Sequence, residues 1–265
     1  MAKSKRGDKR SKRIVYVPFA TLAVVLVLLI GLQSLHNASS APSAWTKPVK
    51  VSSKDYAPPK EVDVYFISWY GCPFGATESW PLYLALEHFG KVQAEPHYAL
   101  RTGGLVFGLP LPGLLFQNFT PNSTLHFHFF YMYNQFLNAT VNGTPISAGG
   151  AVRVGLDEIQ ASFPSWVYQL VYEYQLHKTY VTGLNGTLVP VIYKGAIPHL
   201  VTTLIVTGPK GTWIMLGYPY FFTPDQLFQV SMNSTALFNQ IQQGQVPQVL
   251  QNASQQILNL IEEAS

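Results

Sequence analysis

A single cysteine, Cys72, stands in 265 residues, and this excludes any disulfide within the chain. Stability must then come from packing, for which a hydrophobic fraction of 48% and an aromatic fraction of 14% are ample. Charge is also scarce: Asp, Glu, Lys and Arg make up 11% of the residues, well below the usual quarter. The net charge of +4 is local, because seven of the 17 Lys and Arg lie in "MAKSKRGDKRSKR". The remainder carries 10 basic and 12 acidic residues, a net charge of −2. A folded domain without a basic footprint has no nucleic-acid partner to offer. Gly-x-Ser-x-Gly, zinc-protease and dinucleotide fingerprints are missing, and "RTGGLVFGLPLPG" lacks the Gly-Lys-Ser/Thr of a phosphate loop.

What is present begins at the N-terminus. After a basic tail, 1–13, "IVYVPFATLAVVLVLLIGL" runs from Ile14 to Leu32 without a charge. As a helix these 19 residues reach about 28 Å, enough to cross a bilayer core. The run exceeds the length of a signal-peptide core, so an uncleaved anchor is preferred to a leader cut in "NASSAPSA". Positive charge stays inside, which places everything after Leu32 outside the cell membrane. Sequons at Asn37, Asn118, Asn122, Asn138, Asn142, Asn185, Asn233 and Asn252 all fall on that outer side, and each, if glycosylated, marks a solvent-facing position.

Residues 33–60, rich in Ser, Pro, Ala and Lys, read as a linker, and a domain with a C-terminal helical extension fills 61–265. "VDVYFIS" reads as a buried strand, and "ATESWPLYLALEHFG" as a helix of about four turns ending at Gly90, kinked at Pro81, with Thr77, His88 and Lys91 on a polar face. The Gly, Pro and Leu-rich stretch from Arg101 reads as a long excursion. "LHFHFFYMYNQFLNAT" suggests a strand, "SFPSWVYQLVYEYQLHK" a helix, and "LVTTLIVTGPKGTWIMLGY" a hairpin. In "TPDQLFQV" Thr223 is the N-cap, with Pro224 and Gln226 completing a capping box. The tail is an amphipathic helix with a stripe of Val246, Val249, Leu250, Ala253, Ile257, Leu260 and Ile261, expected to dock on its own domain. Alternating strands and helices imply an α/β sandwich with a mixed sheet.

In this layout Cys72 sits between a strand end and a helix start, where free N–H groups and the helix dipole stabilise a thiolate. Strand, Cys-Pro-aromatic, helix is the arrangement of a thiol–disulfide site. The segment resembles the thioredoxin-like fold, and more narrowly a membrane-anchored thioredoxin-like family, a domain of unknown function found in archaea and actinobacteria. Members carry Cys-Pro-aromatic-Cys, then a Glu, a Trp-Pro-Leu and a helix ending near Phe-Gly. Here Cys72, Pro73 and Phe74 match, Gly75 stands where the second cysteine would be, and Glu78, Trp80, Pro81, Leu82, Phe89 and Gly90 follow. The tight match covers about thirty residues; the closing hairpin and helix, 200–231, match in order alone.

The resemblance implies a thioredoxin-like sandwich with a mixed sheet and flanking helices, preceded by one transmembrane helix. It implies Cys72 as the catalytic residue, with Pro73, Phe74 and a cis-proline beside it as substrate contacts, and no cofactor. Pro198 in "AIPHL" directly precedes the hairpin and is the preferred cis-proline; Pro190 in "LVPVIYKG" is the other candidate. Gly75 removes the thiolate that would resolve a mixed disulfide, so any redox role needs a second molecule. Two functions remain open: a monothiol redox or thiol-binding protein acting through Cys72, or a non-catalytic cell-surface binding or envelope-assembly ectodomain on a degenerate thioredoxin fold. His126 and His128 share one strand face, but no third ligand follows at metal spacing, with only Cys72 or His97 left to approach in space. The pair reads as half-exposed strand histidines, with no metal.

Overall fold

The structure is a computed structural model that describes residues 43–99 and 110–265. The expected span, 14–32, the Asn37 sequon and residues 101–109 of the Arg101 excursion lie outside the described residues. Among the described residues no helix is long and apolar enough to cross a membrane.

The fold is mixed α/β, with a five-stranded mixed sheet and six α-helices among the described residues. Strand β1 (Val49–Ser52) lies inside the stretch expected to be linker; it pairs antiparallel with the last strand of the sheet, so the folded unit begins well before Glu61. "VDVYFIS" is β2 (Val62–Ser68), buried along its whole length. Its alternation sends Val62, Val64 and Phe66 into one core and Tyr65 and Ile67 into the other, so both faces of the strand are covered.

Helix α1 (Pro73–Leu86) starts at Pro73 and stops at Leu86, a turn short of the expected end, because Gly90 already opens a strand. The polar face expected from Thr77 does not exist. Thr77 is buried and its hydroxyl donates to the Pro73 carbonyl one turn back. The reason is that α1 is covered on several sides. It packs with sheet residues Val64, Phe66, Leu204 and Met215 in one core, against the C-terminal helix, and against a hairpin of β3 (Gly90–Tyr98) and β4 (Pro112–Pro121). That hairpin is a correction, since 112–121 read as part of an irregular excursion and 90–98 carried no assignment. Its signal was the alternating burial of Gly90, Val92 and Ala94 against exposed Lys91, Gln93 and Glu95, masked by Pro96 and by the Gly and Pro around Gly113.

Strand β5 (Leu125–Tyr131) pairs parallel with β2, as a crossover partner rather than a hairpin arm. Next come α2 (Ala151–Ser162) and α3 (Ser165–Glu173), which continues into a wider turn through Lys178. Helix α2 was hidden by Gly155, where a Cβ would lie 2.0 Å from the Tyr133 hydroxyl; the glycine lets the helix approach that ring. A small hairpin, β6 (Tyr180–Thr182) and β7 (Leu188–Pro190), precedes the expected one, β8 (Thr203–Gly208) and β9 (Gly211–Leu216). Sheet order is β1-β9-β8-β2-β5, antiparallel except for β2–β5.

Helix α4 (Pro224–Val230) carries both bonds of the capping box between Thr223 and Gln226. Helix α5 (Ser234–Gln242) is capped by Asn233, whose side chain accepts from the Ala236 amide. Helix α6 (Gln248–Ala264) buries Leu250, Ala253, Ile257, Leu260 and Ile261 against α1, and Asn252 projects outward.

Candidate functional site

The site forms where β2 ends. The antiparallel pair Ile67↔Thr203 is the last in the β2–β8 ladder, so the next residues, Ser68 and Thr202, face each other just beyond it. Alternation turns both toward the side of Phe66 and Leu204, where α1 begins. The chain then turns through Trp69 to Gly71, with the Cys72 amide donating to the Trp69 carbonyl at 3.0 Å. Cys72 is the N-cap of α1, extended at φ −72° and ψ 115°, and Pro73 follows at the first helical position, where its missing N–H costs nothing.

These pieces make a chain of three small polar groups. Cys72 Sγ lies 3.0 Å from Thr202 Oγ1, and Thr202 Oγ1 lies 2.9 Å from Ser68 Oγ. The thiol is 2% exposed. Burial pushes its pKa up, while the Thr202 hydroxyl and the amides of Gly75, Phe74 and Thr202 pull it down without prevailing. His97 lines the same small cavity, together with Tyr70, Gly75, Leu114 and Tyr131. Its Nε2 donates to the Tyr70 carbonyl, and burial holds the ring below its usual pKa, so the described residues that line the cavity include no cation to stabilise a thiolate. The arrangement keeps a protonated thiol in a satisfied bond.

Gly75 is explained by the same cluster. A Cβ there would lie 2.2 Å from Ser68 Oγ and 3.0 Å from Thr202 Oγ1. The Ser68 hydroxyl therefore occupies the space that a side chain at 75 would need. Replacement of Thr202 by valine should leave Ser68 Oγ without its partner, take the hydroxyl away from Cys72 Sγ and destabilise the domain by about 1–3 kcal/mol. Denaturant midpoints of Thr202→Val and Thr202→Ser check this, with the serine variant expected to retain most of the stability.

The expected substrate contacts are covered. Phe74 is buried beneath Trp45 and Tyr218, with ring centroids 5.4 Å from each. Pro73 is buried as well. Among the described residues no peptide bond is cis, so Pro190 and Pro198 are both trans, which corrects the expected cis-proline. Pro190 ends β7, Pro198 lies in the loop before β8, and the residue that meets Cys72 is Thr202. Ser68, Thr202 and Trp45 were not singled out from the sequence, and His97 was named there only as a third ligand beside His126 and His128. Only Ser68 and Thr202 left a trace there, as hydroxyls inside apolar strand runs.

One further buried carboxyl and a pair of half-exposed histidines stand out. Glu78, mid-way along α1, is 0% exposed, and neither carboxyl oxygen has a hydrogen-bond partner among the described residues. Burial holds its pKa well above the usual carboxylate range, which favours the neutral acid. The strand histidines are each beside a carboxylate: His126 Nε2 is 2.9 Å from Glu61, and His128 Nε2 is 3.7 Å from Asp63. No group of three His, Cys, Asp or Glu among the described residues is disposed to hold a metal. Sequon residues Asn118, Asn122, Asn138, Asn142, Asn185, Asn233 and Asn252 are all exposed.

Against known proteins, residues 47–263 match the family model described as "Domain of unknown function (DUF929)". No curated protein and no solved structure matches the chain.

Proposed function

We propose, on the premise that the chain belongs to the DUF929 family, that its domain is a thioredoxin-like ectodomain without dithiol chemistry, serving in binding or envelope assembly. Support for the fold reading is the order β2–α1–β5–helices–β8–β9–α4, with β2 an interior strand, parallel to β5 and antiparallel to β8. The β3–β4 hairpin is an insertion between α1 and β5, and β1 extends the edge. The uncharged run 14–32 supports a single membrane anchor, and the seven exposed sequons are consistent with an outer, glycosylated domain.

One observation carries the non-catalytic reading: the Cys72 thiol is buried, bonded to Thr202, and faces a Gly75 that has no room for a resolving thiol. A nucleophile must be reached and ionised, and burial opposes both. Alkylation of Cys72 by iodoacetamide should run at least about tenfold slower in the native chain than in the unfolded one. The second reading is monothiol exchange, in which the Cys72 thiolate attacks a disulfide such as oxidised glutathione, forms a mixed disulfide and releases the other sulfur as a thiol; the amides of Phe74, Gly75 and Thr202 directed at Sγ favour it. Native alkylation faster than that of a free thiol, with a glutathione adduct visible by mass, would establish that reading and remove the first.

A further inference from the structure

The described chain enters the domain at a fixed place. Thr46 N–H donates to the Leu216 carbonyl and Leu216 N–H to the Ala44 carbonyl, each at 2.8 Å, which clamps the entering strap to the end of β9. The Tyr220 amide donates to Thr46 O at 2.8 Å. Tyr220 at this entry is 53% exposed, and Tyr193 at 48% and Ile197 at 52% are open in the segment that carries Lys194. Two lysines sit among them. Lys47 Nζ is 5.1 Å from the Tyr220 ring, and Lys194 Nζ is 5.2 Å from the Trp45 ring. Neither lysine forms an ion pair among the described residues.

We propose that this face rests on the headgroups of an anionic lipid bilayer. The inference depends on the reading of 14–32 as a membrane anchor. Ten residues, 33–42, separate that run from Ser43. Ten residues span at most about 35 Å whatever their conformation, so the entry face stays within reach of the bilayer surface. Tyr and Trp with an apolar body and a polar tip, beside Lys that keeps its ammonium in water, suit the headgroup layer. Each lysine near an anionic surface contributes about 1 kcal/mol. Weak intrinsic affinity is enough here, because a short tether raises the effective concentration to the millimolar range. The far end of β2, where Lys60 precedes the strand and Val62 N–H donates to the Thr124 carbonyl, points away from the entry and carries the Asn118 and Asn122 sequons nearby.

The test uses the full chain in lipid nanodiscs, labelled with a water-soluble succinimidyl ester and read by peptide mass spectrometry. In anionic discs Lys47 and Lys194 should label at least about fivefold more slowly, relative to the distal Lys60 and Lys91, than in discs of zwitterionic lipid. The variant Tyr193→Ser/Ile197→Ser/Tyr220→Ser, altered only at exposed positions, should lose the protection. Equal labelling in both disc types overturns the proposal and leaves the anchor reading standing. Protection that survives the triple variant also overturns it. A chain that fails to incorporate into discs or to float with vesicles removes the anchor reading, and this inference with it.

Discussion

Replacement of Gly75 by cysteine is expected to destabilise the domain by about 1–3 kcal/mol, the range for overpacking a well-filled core. The new Cβ would meet Ser68 Oγ at 2.2 Å and Ser68 Cβ at 3.2 Å, so rotation of the serine alone does not clear it. Gly75→Ala should cost nearly as much, which separates the effect of the Cβ from that of the thiol. Ser68→Ala in the Gly75→Cys background removes the nearest atom and should recover a large part of the loss. A double-mutant cycle on denaturation free energies should therefore give a coupling of about 1–2 kcal/mol between positions 68 and 75. Gly75→Ala as stable as the parent protein would mean that α1 shifts freely at its first turn, and the account of Gly75 would fall. The double variant also places two thiols at dithiol spacing, so loss of free thiols on mild oxidation reports whether Ser68 alone kept the second sulfur out.

The pH dependence of stability should run opposite to that of most proteins, with its slope traced to Glu78. Burial raises the folded pKa of this carboxyl above its unfolded value of about 4.3. The folded state therefore holds the proton where the unfolded chain has released it. Stability is full below about pH 4.3 and falls by about 1.4 kcal/mol per pH unit as pH rises, levelling once the folded pKa is passed. Glu78→Gln should abolish this loss while matching the parent protein in acid, since a neutral amide carries a similar burial cost. Glu78→Met, with an apolar chain of similar length, should be neutral or stabilising at every pH. Chemical denaturation from pH 4 to pH 8 distinguishes these cases; a Glu78→Gln curve parallel to that of the parent protein would show that the carboxyl finds a partner or water when it ionises.

Legibility in the sequence followed the locality of the interaction. Thr223, Pro224 and Gln226 sit within four residues of one another, so the capping box could be read and its two bonds are present. The hairpin around "GPKG" was legible because two apolar runs flank a turn with Gly211 at φ +127°, a conformation suited to glycine. The α6 stripe was legible because a helix repeats its buried face every three to four residues. Thr77 shows where this fails: its polarity indicated a solvent face, but α1 is covered by elements that come from residues 90–121 and 248–264. Strand β1 failed for the same reason, since only pairing with β9 more than a hundred and fifty residues later makes "VKVS" a strand.

By itself the sequence determined that no internal disulfide exists, that the folded part lacks a basic surface, and that Cys72 stands alone between a strand and a helix without a resolving thiol. Those are matters of composition and near neighbours. How deeply that cysteine is buried, and what it touches, was decided by the tertiary structure. Thr202 arrives from the residue before β8, 130 positions away, Ser68 fills the space beside Gly75, and Trp45 covers Phe74. Dipole and free amides at a helix start are local and favour a thiolate, but burial depends on everything that packs around the sulfur, and at Cys72 burial prevails.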